Sequence, residues 1–329
     1  MPDSVRFIVS IDTEEDNWYR SRQRITLENI GELRRQARFF DRLGIRPTYF
    51  TTYHVAGDAR AADVIREVSS GGGSEIGAHL HPWNTPPLTE AFTPRNSMLK
   101  NLPAELQERK LRALTGMLEE AFGARPRAFR AGRYGLGQGT VAVLLRCGYS
   151  VDSSVTPFVT WKTFDDGPSF DGAPLDVYRL APDREVTLPA RDGELTEVPL
   201  SCGFSRGPFA VWGRVRRALD TAALRRLRLI GLAARTGLCK RIMLSPEVAS
   251  GADMLTLSRR LLEKGVGHLH LSWHSPSLQP GLGPFTRTQA DVDRLYATVE
   301  AYLEQLSRMA TLKFVTVSEA AAVEVPAPC

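Results

Sequence analysis

Short runs rich in β-branched and aromatic residues alternate along the chain with longer segments whose apolar positions recur at helical spacing. Residues 5–11 (VRFIVSI) predict the first strand. Leu27, Ile30, Leu33, Ala37, Phe40 and Leu43 share one helical face, so residues 27–43 predict a helix that Gly44 closes. Strands are predicted at 47–52, 74–79, 128–130 and 150–152, with helices at 59–69, 104–122 (opened by Pro103) and 140–147. From Val155 to Arg206 the pattern breaks into Pro-, Gly- and Asp-rich sequence. This predicts an irregular insertion or loop excursion after strand five, with short strands at most, at 186–188 and 195–200. An Arg-rich helical stretch at 214–235 follows, and strand–helix order resumes through 241–244, 254–264, 268–273, 288–307 and 313–317. The alternation predicts an α/β fold in one domain over residues 1–329: a distorted (β/α) barrel of about seven strands. Reactive side chains of such barrels sit at the C-terminal ends of the strands.

Composition narrows the class. Hydrophobic residues are 43% of the 329 and charged residues 24%, which excludes wholesale disorder. The net charge of +5 is too mild to indicate nucleic acid, and no nucleic-acid partner is expected. No run approaches the ~20 uncharged apolar residues of a membrane span. The opening MPDSVRFIVSIDTEED does not read as a signal peptide, and the scattered Cys147, Cys202, Cys239 and Cys329 read as reduced thiols. A cytoplasmic location is expected. Arg216, Arg217, Arg225, Arg226 and Arg228 lie among leucines between Arg214 and Arg241. That segment reads first as a solvated helix on the barrel, and second as a peripheral contact with the inner face of the membrane.

The candidate chemistry falls at strand ends. Strand one runs into Asp12, Glu14, Glu15 and Asp16, a crowding that repels unless cations or protons neutralise it. Asp12 and Glu14 point the same way on an extended chain, so one could bind a metal while the other acts as general base; a solvated acidic loop is the competing reading. His79 and His81 place two imidazoles on one face of strand three, a metal-ligand spacing. Arg130 leaves strand four, either as an ordinary surface Arg or to hold a catalytic Asp ionised. Asp152 ends strand five, as an acid or a turn cap. His268, His270 and His274 share one side of a late strand, the last placed as general acid and the others as core or rim residues. Dinucleotide, P-loop and nucleophile-elbow motifs are absent. Together these parts describe metal-assisted hydrolysis.

In this order the motifs resemble those of the NodB-homology polysaccharide deacetylases, carbohydrate esterase family 4, from about Val5 to Val317. Ser10-Ile-Asp12-Thr-Glu14 is similar to the first motif in an Asp-x-acid variant, and Glu75-Ile-Gly-Ala-His79-Leu-His81-Pro82 to the second. Phe129-Arg130-Ala-Gly-Arg133-Tyr134, Asp152-Ser-Ser and Leu271-Ser-Trp-His274-Ser are similar to the third, fourth and fifth. The resemblance implies a NodB-type barrel with a divalent metal, Zn²⁺ foremost, held by Glu14, His79 and His81. It implies Asp12 as general base oriented by Arg130, and His274 as general acid tuned by Asp152. A backbone N–H near Arg133 or Tyr134 would complete an oxyanion hole. Arg133, Tyr134, Trp83 and Trp273 are the expected substrate contacts, with Trp161 and Phe164 as candidate sugar-stacking residues in the insertion. The expected reaction removes N-acetyl groups from an amino-sugar glycan or a glycan precursor, lipid-linked sugars included. The alternatives are deformylation or cyclic-amide opening on the same barrel, or a non-catalytic carbohydrate-binding protein.

Overall fold

The computed structural model describes residues 4–19, 24–163, 165–219 and 240–322. Its strands, in chain order, are β1 (Ser4–Thr13), β2 (Pro47–Thr51), β3 (Glu75–Leu80), β4 (Ala128–Ala131), β5 (Val151–Asp152), β6 (Tyr178–Leu180), β7 (Leu195–Glu197), β8 (Cys202–Phe204), β9 (Arg241–Met243), β10 (His268–His274) and β11 (Thr311–Val315). The main sheet runs β10-β1-β2-β3-β4-β5-β7-β6, curled into an open half-barrel. Its pairings are parallel except for β6 against β7. β1 is long enough to serve two strands along one edge: residues 4–8 pair with β11 and residues 9–13 with β2. β8 and β9 form a separate antiparallel ribbon.

The helices are α1 (Leu33–Leu43), α2 (Tyr53–Gly57), α3 (Ala59–Ser69), α4 (Ala104–Phe122), α5 (Gln138–Arg146), α6 (Phe209–Leu219), α7 (Gly251–Glu263), α8 (Gln289–Ser307) and α9 (Val317–Ala321). All but α9 lie outside the sheet, which is why the parallel strands are buried on both sides. Strand alternation sorts β1: Val5, Phe7, Val9 and Ile11 pack outward into the largest apolar cluster, while Ile8 packs inward with Phe50, Ala128, Val151 and Val198. That inner plug is closed below by Val317, Ala320 and Ala321 of α9. Gly77 lets it close, since a Cβ there would lie 2.7 Å from the Phe50 ring. Above the plug the inward positions turn polar, and the site begins.

Residues 155–206 supply β6, β7 and β8, and β7 extends the sheet beside β5. Residues 186–188, expected as a strand, form a turn, and the strand is Tyr178–Leu180 instead. Of the Arg-rich stretch, residues 214–219 lie in α6; 220–239, with Arg225, Arg226, Arg228 and Cys239, lie outside the described residues, as does Phe164. Among the described residues no helix is long and apolar enough to cross a membrane.

Candidate active site

The polar layers rise strand by strand from the plug. Parallel register sets Asp12 of β1 beside His274 of β10, and His79 of β3 beside Arg130 of β4. Arg130 is fully buried, its guanidinium 4.2 Å over the Phe50 ring. Its Nη1 donates to Asp12 Oδ1 at 2.5 Å, its Nε to the Ser153 carbonyl at 2.8 Å, and its Nη2 to Ser10 Oγ at 2.9 Å. Burial works against the Asp12 carboxylate, but Arg130, with His79 and His274, outweighs it and holds the carboxyl far below the ordinary range. Asp12 Oδ2 is left facing His274 Nε2 at 3.8 Å and His79 Nε2 at 4.0 Å.

Glu14, His79 and His81 are buried, with one potential ligand atom from each all within 4.8 Å of one another. The donor set fits a divalent cation. His79 Nδ1 lies 3.0 Å from the Arg130 carbonyl, a contact that turns the ring so that Nε2 faces Glu14 at 3.6 Å. Glu14 Oε1 has no hydrogen-bond partner, although it is buried. His81 Nε2 meets Glu14 at 3.2 Å, and its Nδ1 lies 3.7 Å from Glu15 Oε2, an outer carboxylate of the kind that fixes a ligating imidazole. Burial opposes charge on His81, yet Glu14 and Glu15 raise its pKa to about 9. Protons fill the negative well unless a cation does. Gly132 makes room for this ring: a Cβ there would lie 2.1 Å from His81 Cδ2.

His274 has a partner that the sequence reading did not name. Glu247, in the turn after β9, lies 2.8 Å from His274 Nδ1 through Oε2 and accepts the His274 backbone N–H through Oε1 at 3.1 Å. Ser277 Oγ also donates to Oε1. Burial disfavours the imidazolium, but Glu247, Glu14 and Asp12 outweigh it and raise the His274 pKa to about 10. The expectation that Asp152 tunes His274 is therefore corrected. Asp152 accepts from the Ser154 N–H and hydroxyl, both at 2.9 Å, and faces Glu197 across the β5–β7 register. Its position as a turn-binding acid was the alternative reading. The signal for Glu247 was its place just beyond a strand end, which many acids share.

Two expected substrate contacts lie elsewhere. Trp273 is 1% exposed and packs edge-on against Phe40 beneath α1. Alternation along β10 explains this, since Ser272 and His274 face inward and Trp273 must face out. Trp83 stacks on His81 at 4.3 Å and supports that ring. Arg133 and Tyr134 do line the cavity, both at positive φ (54° and 56°), with Arg133 paired to Asp165 at 2.7 Å and Tyr134 stacked on Trp161. Trp18, missed in the sequence, lies 6.0 Å from the His274 ring and 5.8 Å from His81. His268 and His270 are buried below the site: His270 bonds Ser10 at 2.8 Å, and burial with the Arg130 charge pushes its pKa well down.

No family model matches the sequence, and no curated protein matches it significantly. Solved structures do match the fold. A provisionally assigned polysaccharide deacetylase from Mycobacterium smegmatis superimposes with a TM-score of 0.54 at 16% identity, over 97% of this chain and 89% of that one. A CE4 family pseudoenzyme from Bacillus anthracis gives 0.46 at 10% identity (98% and 66%). Peptidoglycan deacetylase PdaC from Bacillus subtilis gives 0.41 at 10% (97% and 91%). The curled sheet, rising from a closed apolar plug to a layer of acids and histidines, thus has the polysaccharide-deacetylase fold of NodB type to which the sequence motifs pointed.

Proposed function

We propose that this chain is a metal-dependent amide hydrolase that removes N-acetyl groups from an amino-sugar glycan or glycan precursor. The observation that carries the reading is the Asp12 carboxylate: one oxygen is clamped by Arg130 at 2.5 Å, and the other is turned toward the Glu14/His79/His81 triad and His274. Glu14, His79 and His81 would hold a divalent ion, Zn²⁺ by its taste for imidazole and carboxylate, which when bound polarises a carbonyl and acidifies water. Asp12, ionised and oriented by Arg130, takes the proton of the attacking water through Oδ2. His274, kept protonated by Glu247, donates to the departing nitrogen. The backbone at Arg133 and Tyr134 is the proposed donor to the developing oxyanion, and Trp161 the proposed stacking surface for a sugar ring. A cytoplasmic setting, on a precursor at the inner membrane face, belongs to the same proposal.

The test is metal content together with product. Wild type is expected to bind about one transition metal per chain and the His79→Ala/His81→Ala variant none. Acetate, and neither formate nor a ring-opened acid, is expected from N-acetylglucosamine oligomers. Asp12→Asn is expected to lower kcat by about 10²- to 10⁴-fold, the usual contribution of a general base. Wild type that takes up no Zn²⁺, or an Asp12→Asn variant of unchanged rate, removes the mechanism.

A further inference from the structure

The cavity above the histidines has a volume of about 510 Å³, and its lining joins two kinds of surface. One is ionisable: Asp12, Glu14, His79, His81 and His274. The other is apolar, Val159, Ile242, Met243, Val248, Ala249 and Phe285, and it meets the first where the Phe285 ring stacks on His274 at 5.8 Å. Val248 and Phe285 stay 56% and 36% exposed, apolar side chains left facing solvent at a site otherwise rich in charge.

A pyranose presents a hydroxyl at nearly every ring carbon, and each loses water on entering a pocket unless a polar group replaces it. The described charged side chains near this wall each already hold a partner. Lys240 Nζ donates to Asp253 at 2.5 Å, Arg241 Nη1 to the Phe158 carbonyl at 3.1 Å, and Arg133 to Asp165 and Ser97. Glu247 serves His274 and Ser277. The wall rewards an apolar group and offers sugar hydroxyls little.

We infer that the substrate of this site carries an apolar alkyl or aryl arm joined close to the scissile amide, and that the wall around Ile242, Met243 and Val248 receives it. The inference rests on the hydrolase reading and specifies what flanks its amide. The reaction is unchanged: water adds across the C–N bond, the hydroxyl goes to the acyl carbon, and the nitrogen leaves as the amine with the proton from His274.

Calorimetric titration of the full chain tests it with three probes: acetanilide, with an apolar amine arm; N-butanoylglucosamine, with an apolar acyl arm; and N-acetylglucosamine, with neither. One of the first two is expected to bind at least about tenfold tighter than the third, with a negative heat-capacity change, and the tighter one assigns the wall to the amine or the acyl side. In Val248→Asn/Met243→Gln, polar changes at exposed and half-buried positions, the gap is expected to shrink below about threefold. N-acetylglucosamine binding as tightly as both others overturns the inference, as does a variant that keeps the whole gap. Amide cleavage followed in parallel separates the two readings. Tight binding of an apolar amide with no amide cleaved upholds the wall and removes the hydrolase, whereas cleavage of N-acetylglucosamine without any binding preference removes this inference alone.

Discussion

Glu247 holds His274 at two points, the ring Nδ1 and the backbone N–H, and so fixes both its charge and its orientation. Replacing Glu247 by Gln keeps a hydrogen-bond acceptor and removes the anion. The His274 pKa, raised to about 10 with Glu247 as its leading favourable partner, is then expected to fall. A proton donor is lost as pH rises through its pKa. The alkaline limb of kcat/KM is therefore expected to move to lower pH in Glu247→Gln, with the acidic limb in place; a pH–rate profile checks this. At this scale the sequence placed acids and histidines at strand ends, and the structure brings Asp12, Glu14, His79 and His81 together there. Asp12, Glu14, His79 and His81 were legible because alternation puts i and i+2 on one face. Glu247 was hidden because nothing local says which acid reaches a histidine 27 residues away.

Elements position the site by buried polar anchors. Lys110 of α4, fully buried, donates through Nζ to the carbonyls of Pro82, Thr85 and Pro87 at 2.7–2.8 Å and pairs with Glu90 at 2.9 Å. That one ammonium ties α4 to the loop that carries Trp83 and its stack on His81. Lys110→Met strands three carbonyls and a carboxylate, and a loss of about 3 kcal/mol in denaturant unfolding is expected. Across β5 and β7, Asp152 and Glu197 share their space in register, and burial followed by the Asp152 charge drives the Glu197 pKa well above its usual 4.5. The folded chain thus holds that proton more tightly than the unfolded chain. Its contribution is complete below 4.5 and is lost as pH rises toward the folded value. In Glu197→Gln the amide can donate to Asp152 and still accept from the Val155 N–H, bonded at 3.0 Å in the wild type. Urea midpoints are therefore expected to fall less steeply with pH above about pH 5 than in the wild type, with His81 and His274 adding to the slope in both. The helices around these strands were legible from their apolar stripes, whereas β6 was not, since a three-residue strand carries too little periodicity to read.

For the molecule as a whole, one end of the half-barrel is closed by apolar packing and the other gathers Asp12, Glu14, Glu15 and Glu247 among His79, His81 and His274. Such a negative well costs stability, which a cation restores. Zn²⁺ at a hundredfold excess over its Kd is expected to stabilise the folded chain by about 2.7 kcal/mol, visible as a rise in Tm of several degrees. In His79→Ala/His81→Ala the rise is expected to vanish, and an equal rise there would place the ion elsewhere.

The sequence by itself determined the strand–helix order, the barrel class and the chemical character of each strand end, because those follow from periodicity and residue type along a local stretch. The tertiary structure decided the partnerships. It turned Trp273 into the core and left His274 facing in, gave His274 to Glu247 and Asp152 to Glu197, and set an apolar wall against the histidines. Such pairings depend on sheet register and loop paths that bring distant segments within a few ångströms, and no local pattern encodes which of several like charges will arrive.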